Sequence, residues 1–243
     1  MAVAAIPLLG AWAQDLPSAE KVIGAHLEAI GGKAAIKKVD SRTLKGTFVL
    51  VDMGMEAPIV RYITPSAARF EIEFEGYGSY ESGLIDGVAW QVHPMEGAEL
   101  LEGARKAEYE RQIAVARNDL LDWKKFFTKA ECRGEETLED VACYVVAMTP
   151  KEGEPINCHF DKKSGLLTHI VGEDDNGYEI TTTMSEYKGV EGVKLPHKIT
   201  NMGGQLSFEI VWESVEVNTD IPAEELSPPE EIKSLMADME TND

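Results

Sequence analysis

The chain has 243 residues, 44% of them hydrophobic, and sets 23 basic against 43 acidic side chains for a formal charge of -20. That length suits one large all-β domain, which commonly runs to roughly 200 to 250 residues, and the hydrophobic share allows a sizeable core. The acidity excludes most nucleic-acid and anionic-headgroup binders, because each phosphate contact needs a Lys or Arg that this chain mostly lacks; plain solubility accounts for it.

The opening residues combine an apolar run, Ala2 to Leu9, with Ala11-Trp12-Ala13, the small-x-small pattern of a signal-peptidase site. Residues 1–13 therefore read as a signal-peptide-like segment, and export is expected. No Lys or Arg precedes Lys21, so the basic n-region is missing and the true start is expected upstream. About 12 apolar residues are too few to span a bilayer, and no other stretch approaches that length, so stable membrane insertion is not expected. No Cys follows the cleavage-like site, so nothing points to an acylated N-terminus.

Ser18 opens a helix whose apolar residues Val22, Ile23, Leu27 and Ile30 fall at helical spacing, with Gly31-Gly32 ending it. A short turn over Ala34 to Val39 leads into the sheet. The helix is expected to plug or cover that sheet.

From Arg42 to Val217 one strand follows another. The first group covers Arg42–Asp52, Glu56–Thr64, Ala67–Glu75, Ser79–Asp86 and Val88–His93. Phe70, Ile72 and Phe74 alternate with Arg69, Glu71, Glu73 and Glu75, which marks one buried face and one solvated face. Phe48 to Val51 run together, as in a strand covered on both sides. Between about Gly103 and Phe127 the period becomes helical, charged first and then apolar at Leu120, Trp123, Phe126 and Phe127, with Asn118 and Asp119 as caps of a second helix. Strands resume at Lys129–Leu138, Cys143–Thr149, Ile156–Asp161, Leu166–Glu173, Tyr178–Tyr187, Val193–Asn201 and Gln205–Val217, joined by short turns that make neighbours antiparallel. A sheet that pauses for one amphipathic helix can curl around it and leave an apolar groove with a movable cover. Asn218 to Pro229 is rich in Pro and Glu. The domain is set at 14–229, followed by an acidic tail at 230–243, a short helix or disorder.

Motifs for chemistry are sparse. Cys132, Cys143 and Cys158 offer no C-x-x-C spacing; Cys143 and Cys158 face each other across a hairpin in one register and lie on opposite faces in another. His159 and His169 flank a turn and supply two of the four ligands zinc normally wants, so no metal or other cofactor is expected. No G-x-S-x-G elbow or phosphate loop appears. Glu71, Glu73 and Glu75 share one strand face, but a solvated face explains them better than paired catalytic carboxylates. What remains is apolar: Phe48, Leu50, Tyr62, Phe70, Ile72, Phe74 and Trp90 in the first half, Leu120, Trp123, Phe126 and Phe127 in the interruption, and Phe160, Phe208 and Trp212 in the second half. Core packing accounts for any one of them. As a set they are candidates for the wall and lid of a ligand cavity, since a curled sheet of about ten strands has more concave area than two short helices cover.

Asp86-Gly87-Val88-Ala89-Trp90, Phe160-Asp161-Lys162-Lys163-Ser164-Gly165-Leu166-Leu167 and Tyr187-Lys188-Gly189-Val190-Glu191-Gly192-Val193-Lys194-Leu195-Pro196, with Val217-Asn218 and the helix before the first strand, resemble the periplasmic carriers of the outer-membrane lipoprotein-sorting family, the LolA/LolB-like group. The resemblance implies a mainly β fold with a few helices: a single curled antiparallel sheet forming an incomplete β-barrel, closed by helices over a hydrophobic cavity. It also implies a periplasmic location in a Gram-negative-type envelope, a lipid or acylated protein as cargo, an envelope donor or acceptor protein as partner, and no catalysis. In such carriers a basic residue on an early strand hydrogen-bonds the helical lid; Arg42, Lys45 and Arg61 are its candidates here. Two rivals stand beside the carrier. One is an envelope interaction module with a filled core, which an apolar pocket below roughly 300 Å³ favours. The other is a hydrolase whose His93 or His159 meets a distant Ser.

Overall fold

The structure, a computed structural model, describes residues 16–117, 119–174, 177–204 and 206–242. The signal-peptide-like segment at 1–13 lies outside them.

Two helices, α1 (Ala19–Ala29) and α2 (Lys33–Ile36), precede the sheet. Ser18 caps α1, its hydroxyl accepting from the Lys21 amide at 3.3 Å. Val22, Ile23, His26 and Leu27 form the buried stripe. Gly31 ends the helix with φ +126°, and a Cβ there would fall 2.3 Å from the Gly192 carbonyl oxygen. The backbones meet there, and the Lys194 amide donates to the Ile30 carbonyl at 2.8 Å.

Six strands follow as a meander: β1 (Arg42–Leu50), β2 (Met55–Ile63), β3 (Ala67–Phe74), β4 (Gly78–Ile85), β5 (Val88–His93) and β6 (Gly97–Leu101). Then come α3 (Gly103–Ala116) and a 3₁₀ segment at Asp119–Lys125. Seven more strands complete the sheet: β7 (Phe127–Leu138), β8 (Val141–Pro150), β9 (Ile156–Asp161), β10 (Leu167–Glu173), β11 (Glu179–Val190), β12 (Val193–Gly203) and β13 (Phe208–Val217). The strand order β6-β5-β4-β3-β2-β1-β13-β12-β11-β10-β9-β8-β7 makes one open antiparallel sheet. Its two edges, β6 and β7, are consecutive in sequence, and the segment connecting them is α3 with the 3₁₀ turn. Topology therefore makes the chain cross from one rim of the half-barrel to the other through this segment.

Two expectations are corrected. The sheet has thirteen strands among the described residues, because the five-residue rim strand β6 carries no alternation strong enough to announce it. The aromatic stretch Leu120–Phe127 is not a second α-helix: it turns as 3₁₀ to Lys125, and Phe127 opens β7.

The sheet bends where the β1–β13 register shifts at Lys45/Gly46. A Cβ on Gly46 would sit 2.0 Å from the Val211 carbonyl oxygen, so the bulge demands glycine. One core cluster lies under α1 and includes Val146, Met148, Cys158, Phe160 and Trp123; a second lies under α3 and includes Phe48, Ile59, Ile72, Ile113 and Trp212. The convex face is covered too. Arg69 binds Glu71 and Glu81, each at 2.8 Å, and donates from Nη1 to the Glu225 carbonyl of α4 (Ala223–Leu226) at 3.3 Å. The acidic tail forms α5 (Glu230–Asn242), which contacts β5 and β6 and buries Ile232 completely.

Candidate ligand cavity

Between the two clusters the concave face is not filled. A cavity of about 310 Å³ opens there, floored by β1, β2 and β10–β13 and roofed by α3. Alternation along each strand selects its lining: Arg42 and Leu44 on β1, Arg61 and Ile63 on β2, Ile199 on β12, and Ile210 and Trp212 on β13. From the roof come Glu108, Arg111, Gln112, Val115 and Ala116. A second hollow of about 240 Å³ adjoins it under the first half of α3, and its walls are polar: Tyr80, Ser82, Gln91, Arg105 and Tyr109 line it with Phe70. Arg61 and Glu108 line both.

The roof is latched at several points. Arg42 Nη1 donates to the Ala116 carbonyl at 3.0 Å, at the C-terminal end of α3 where cations meet unsatisfied carbonyls. Arg117 Nη2 reaches the Ala67 carbonyl at 3.2 Å, and Arg111 Nη1 reaches the Glu152 carbonyl in the β8–β9 loop at 2.9 Å. Arg105 forks onto Glu99 of β6 at 2.8 and 2.9 Å, holding that carboxyl below its usual range. Tyr109 donates to Ser82 at 3.1 Å, and burial raises its phenol to about 12. By contrast α3 buries little apolar surface, with Ile113 and Ala114 its fully buried residues. The polar latches hold a helix that hydrophobic packing grips weakly. Of the three basic candidates, Arg42 is the one whose hydrogen bond meets the lid helix; Lys45 is exposed.

On the floor side, His26 of α1 lines the cavity while sealed from water. Its Nδ1 lies 3.2 Å from the Leu167 amide and 3.3 Å from the Gly165 carbonyl, and its ring meets Phe160 edge-on at 5.5 Å. As an acceptor from Leu167 the ring is neutral, and burial lowers its pKa to about 4.

The expected wall residues divide into three groups. Leu120, Phe127, Phe208 and Trp212 line the cavity, and Phe70 lines the polar hollow. Phe48, Leu50, Ile72 and Phe74 belong to the cluster under α3, where Phe48 stacks on Phe208 at 5.4 Å; Trp123, Phe126 and Phe160 belong to the cluster under α1. Tyr62 and Trp90 do not reach the cavity. Tyr62 alternates with Arg61 and Ile63 and faces outward beneath α4, near Glu225, while Trp90 covers Gly83 on the same convex side. Lining residues without an aromatic signal, Arg61, Ile63, Val115, Ile199 and Ile210, went unnamed as wall residues because they look like any strand or helix residue.

The remaining candidates sit outside the cavity. His159 and His169 pair across β9 and β10 on the convex face, ring centroids 6.2 Å apart, with His159 Nε2 3.0 Å from Glu136. Among the described residues no group of three or more His, Cys, Asp or Glu side chains is placed to hold a metal. Cys143 and Cys158 occupy opposite faces and are free thiols, as is Cys132. Glu71 is bound to Arg69, and Glu73 and Glu75 are solvated.

Comparison with known proteins rests on structure, since no family model and no curated protein matches the sequence. An outer membrane lipoprotein-sorting protein domain from Vibrio parahaemolyticus superposes with a TM-score of 0.57 at 13% identity, covering 86% of this chain and 97% of that one. A LolA superfamily protein from Nitrosomonas europaea gives 0.57 at 10% identity, covering 88% and 99%. A DUF1329 family protein from Desulfovibrio piger gives 0.51 at 11%, covering 86% and 97%. The open sheet, its rim-to-rim lid and these superpositions together give this chain the LolA-like fold of the lipoprotein-sorting proteins.

Proposed function

We propose that the protein is a periplasmic carrier that holds a lipid, a lipidated protein or another hydrophobic ligand in the cavity under α3 and moves it without chemical change. The observation that carries this reading is an apolar hollow roofed by a helix that is latched mainly by polar contacts. Each buried methylene contributes about 0.8 kcal/mol, so roughly ten give about 8 kcal/mol before ordering costs, enough for micromolar retention. At about 310 Å³ the closed cavity stands at the lower edge of the range of roughly 300 to 1,000 Å³ for ligand pockets. A bulky cargo therefore requires α3 to move, and cargo and closed lid compete for the same apolar floor. The neighbour named as a lipoprotein-sorting protein domain supports a cargo of that class, with an envelope donor or acceptor as its source or destination. Export rests on the signal-peptide-like opening; no described helix is long and apolar enough to cross a membrane.

Mass spectrometry of the protein isolated from its native envelope without detergent tests the reading. Co-purifying lipid or acylated peptide is expected at up to one equivalent. An empty protein whose emission stays unchanged on addition of lipids rejects the carrier and leaves the interaction module with a packed core.

A further inference from the structure

Arg61 is placed in β2 between Leu44 of β1 and Phe70 of β3, on the concave face where both hollows meet. Its guanidinium carbon lies 5.2 Å from the Phe70 ring centroid and 5.7 Å from that of Trp212. Aromatic faces attract the charge but accept none of its five N–H groups in a directed hydrogen bond. Nε is buried without a hydrogen-bond partner, and among the described residues no carboxylate pairs with this guanidinium. Tyr109, a phenol, is the ionisable group that acts on it, and burial draws its pKa down. An arginine keeps its proton even so. The result is a half-buried cation in the cavity wall whose buried Nε donor is unsatisfied, an arrangement that is costly unless an anion completes it.

We propose that Arg61 is an anion anchor, and that the cavity takes amphiphiles with a singly charged carboxylate head, which pairs with the guanidinium while the hydrocarbon lies between the sheet and α3. This rests on the carrier reading and names its substrate class. The hydroxyls of Tyr80 and Tyr109 give the head a polar hollow beside the apolar cavity. Glu108 also lines both hollows, but its carboxylate accepts from Gln112 at 3.2 Å and acts on Arg111. Its presence disfavours a doubly charged phosphate monoester and leaves a monoanion tolerable. A chain of net charge -20 repels anionic headgroups, whereas a single anion that has entered the cavity meets the Arg61 cation there.

Calorimetric titration of the delipidated protein with dodecanoate and with dodecanol, which share a chain and differ in head charge, tests the assignment. Dodecanoate is expected to bind at least tenfold more tightly, since a charge-assisted hydrogen bond in a dry site carries that much or more. Arg61→Met fills similar volume without burying a charge, and it should erase the preference while leaving dodecanol binding intact. Equal affinity of the wild type for both compounds overturns the anchor while sparing the carrier, and needs no variant. Undiminished dodecanoate affinity in Arg61→Met overturns it as well. If neither compound binds, the anchor falls, and the carrier is judged by what co-purifies with the native protein.

Discussion

His26 joins three tasks in one ring, packing against Phe160, accepting from the Leu167 amide and forming part of the cavity floor. Because burial lowers its folded pKa to about 4 from 6.5, the unfolded chain binds the proton first as pH falls. Stability is fully present above pH 6.5 and is lost on acidification down to about pH 4, with a loss of about 2 kcal/mol by pH 5 at 1.36 kcal/mol per unit. His169, also lowered chiefly by burial, acts in the same direction. Urea midpoints measured from pH 7 to pH 5 should fall for the wild type and fall less for His26→Gln; parallel slopes would assign the acid sensitivity elsewhere. A second residue reports ligand. Trp212 lines the cavity while Trp90 sits on the convex face, so lipid should change the emission of the wild type and of Trp90→Phe, and change it much less in Trp212→Phe. That contrast also marks what the sequence leaves illegible. Alternation separates the two faces of a strand, but here α4 and α5 cover part of the convex face, so Tyr62 and Trp90 are buried as Trp212 is. Which face is concave depends on the curl, and the curl depends on a bulge at Gly46 that a lone glycine does not announce.

At the scale of the element, α1 and α3 are both amphipathic yet do different work. α1 buries Ala19, Val22, Ile23, His26 and Leu27, each large aliphatic side chain contributing roughly 2 kcal/mol, and is locked in place. α3 buries Ile113 and Ala114 and relies on arginines reaching both sides of the sheet. Local opening draws on elements with few buried apolar contacts, so α3 is the one to yield. Removing a latch should speed exchange more than it unfolds the protein. Arg111→Ala deletes the bond to Glu152 at the far side, and is expected to raise the dissociation rate of bound lipid several-fold with a stability loss of about 1 kcal/mol. Stopped-flow displacement beside a denaturant titration checks both; an unchanged rate would show that the lid opens elsewhere. The lid's position in the chain was legible, since the switch from period 2 to helical period near Gly103 is strong. Its extent was not. Leu120, Trp123 and Phe127 fit a helical spacing, yet Phe127 opens the rim strand β7 and pairs with Pro150 of β8, a long-range contact that overrides local pattern.

The whole molecule is an acidic shell around an incompletely filled half-barrel. The rims of its one sheet are bridged through α3 instead of being zipped together. The rim strand β7 shows the consequence: Lys129, Glu131, Arg133, Glu135 and Glu136 crowd its exposed positions, which deters pairing with a second chain. Ion pairs such as Lys162–Glu135 at 2.6 Å and Lys198–Glu209 at 2.8 Å neutralise a fraction of the acid. They leave a large excess of carboxylates, whose mutual repulsion opposes the compact state over distances set by salt. Between 0.01 M and 0.1 M NaCl the screening length shrinks from about 30 Å to about 10 Å, less than the width of such a domain. Repulsion across the shell should therefore fade while the short, partly buried pairs are little affected. The thermal midpoint is expected to rise by a few degrees over that range in both empty and loaded protein, measured by calorimetry at fixed protein concentration. A midpoint that fell with added salt would mean that attractive ion pairs, not the excess of acid, dominate the surface of this fold.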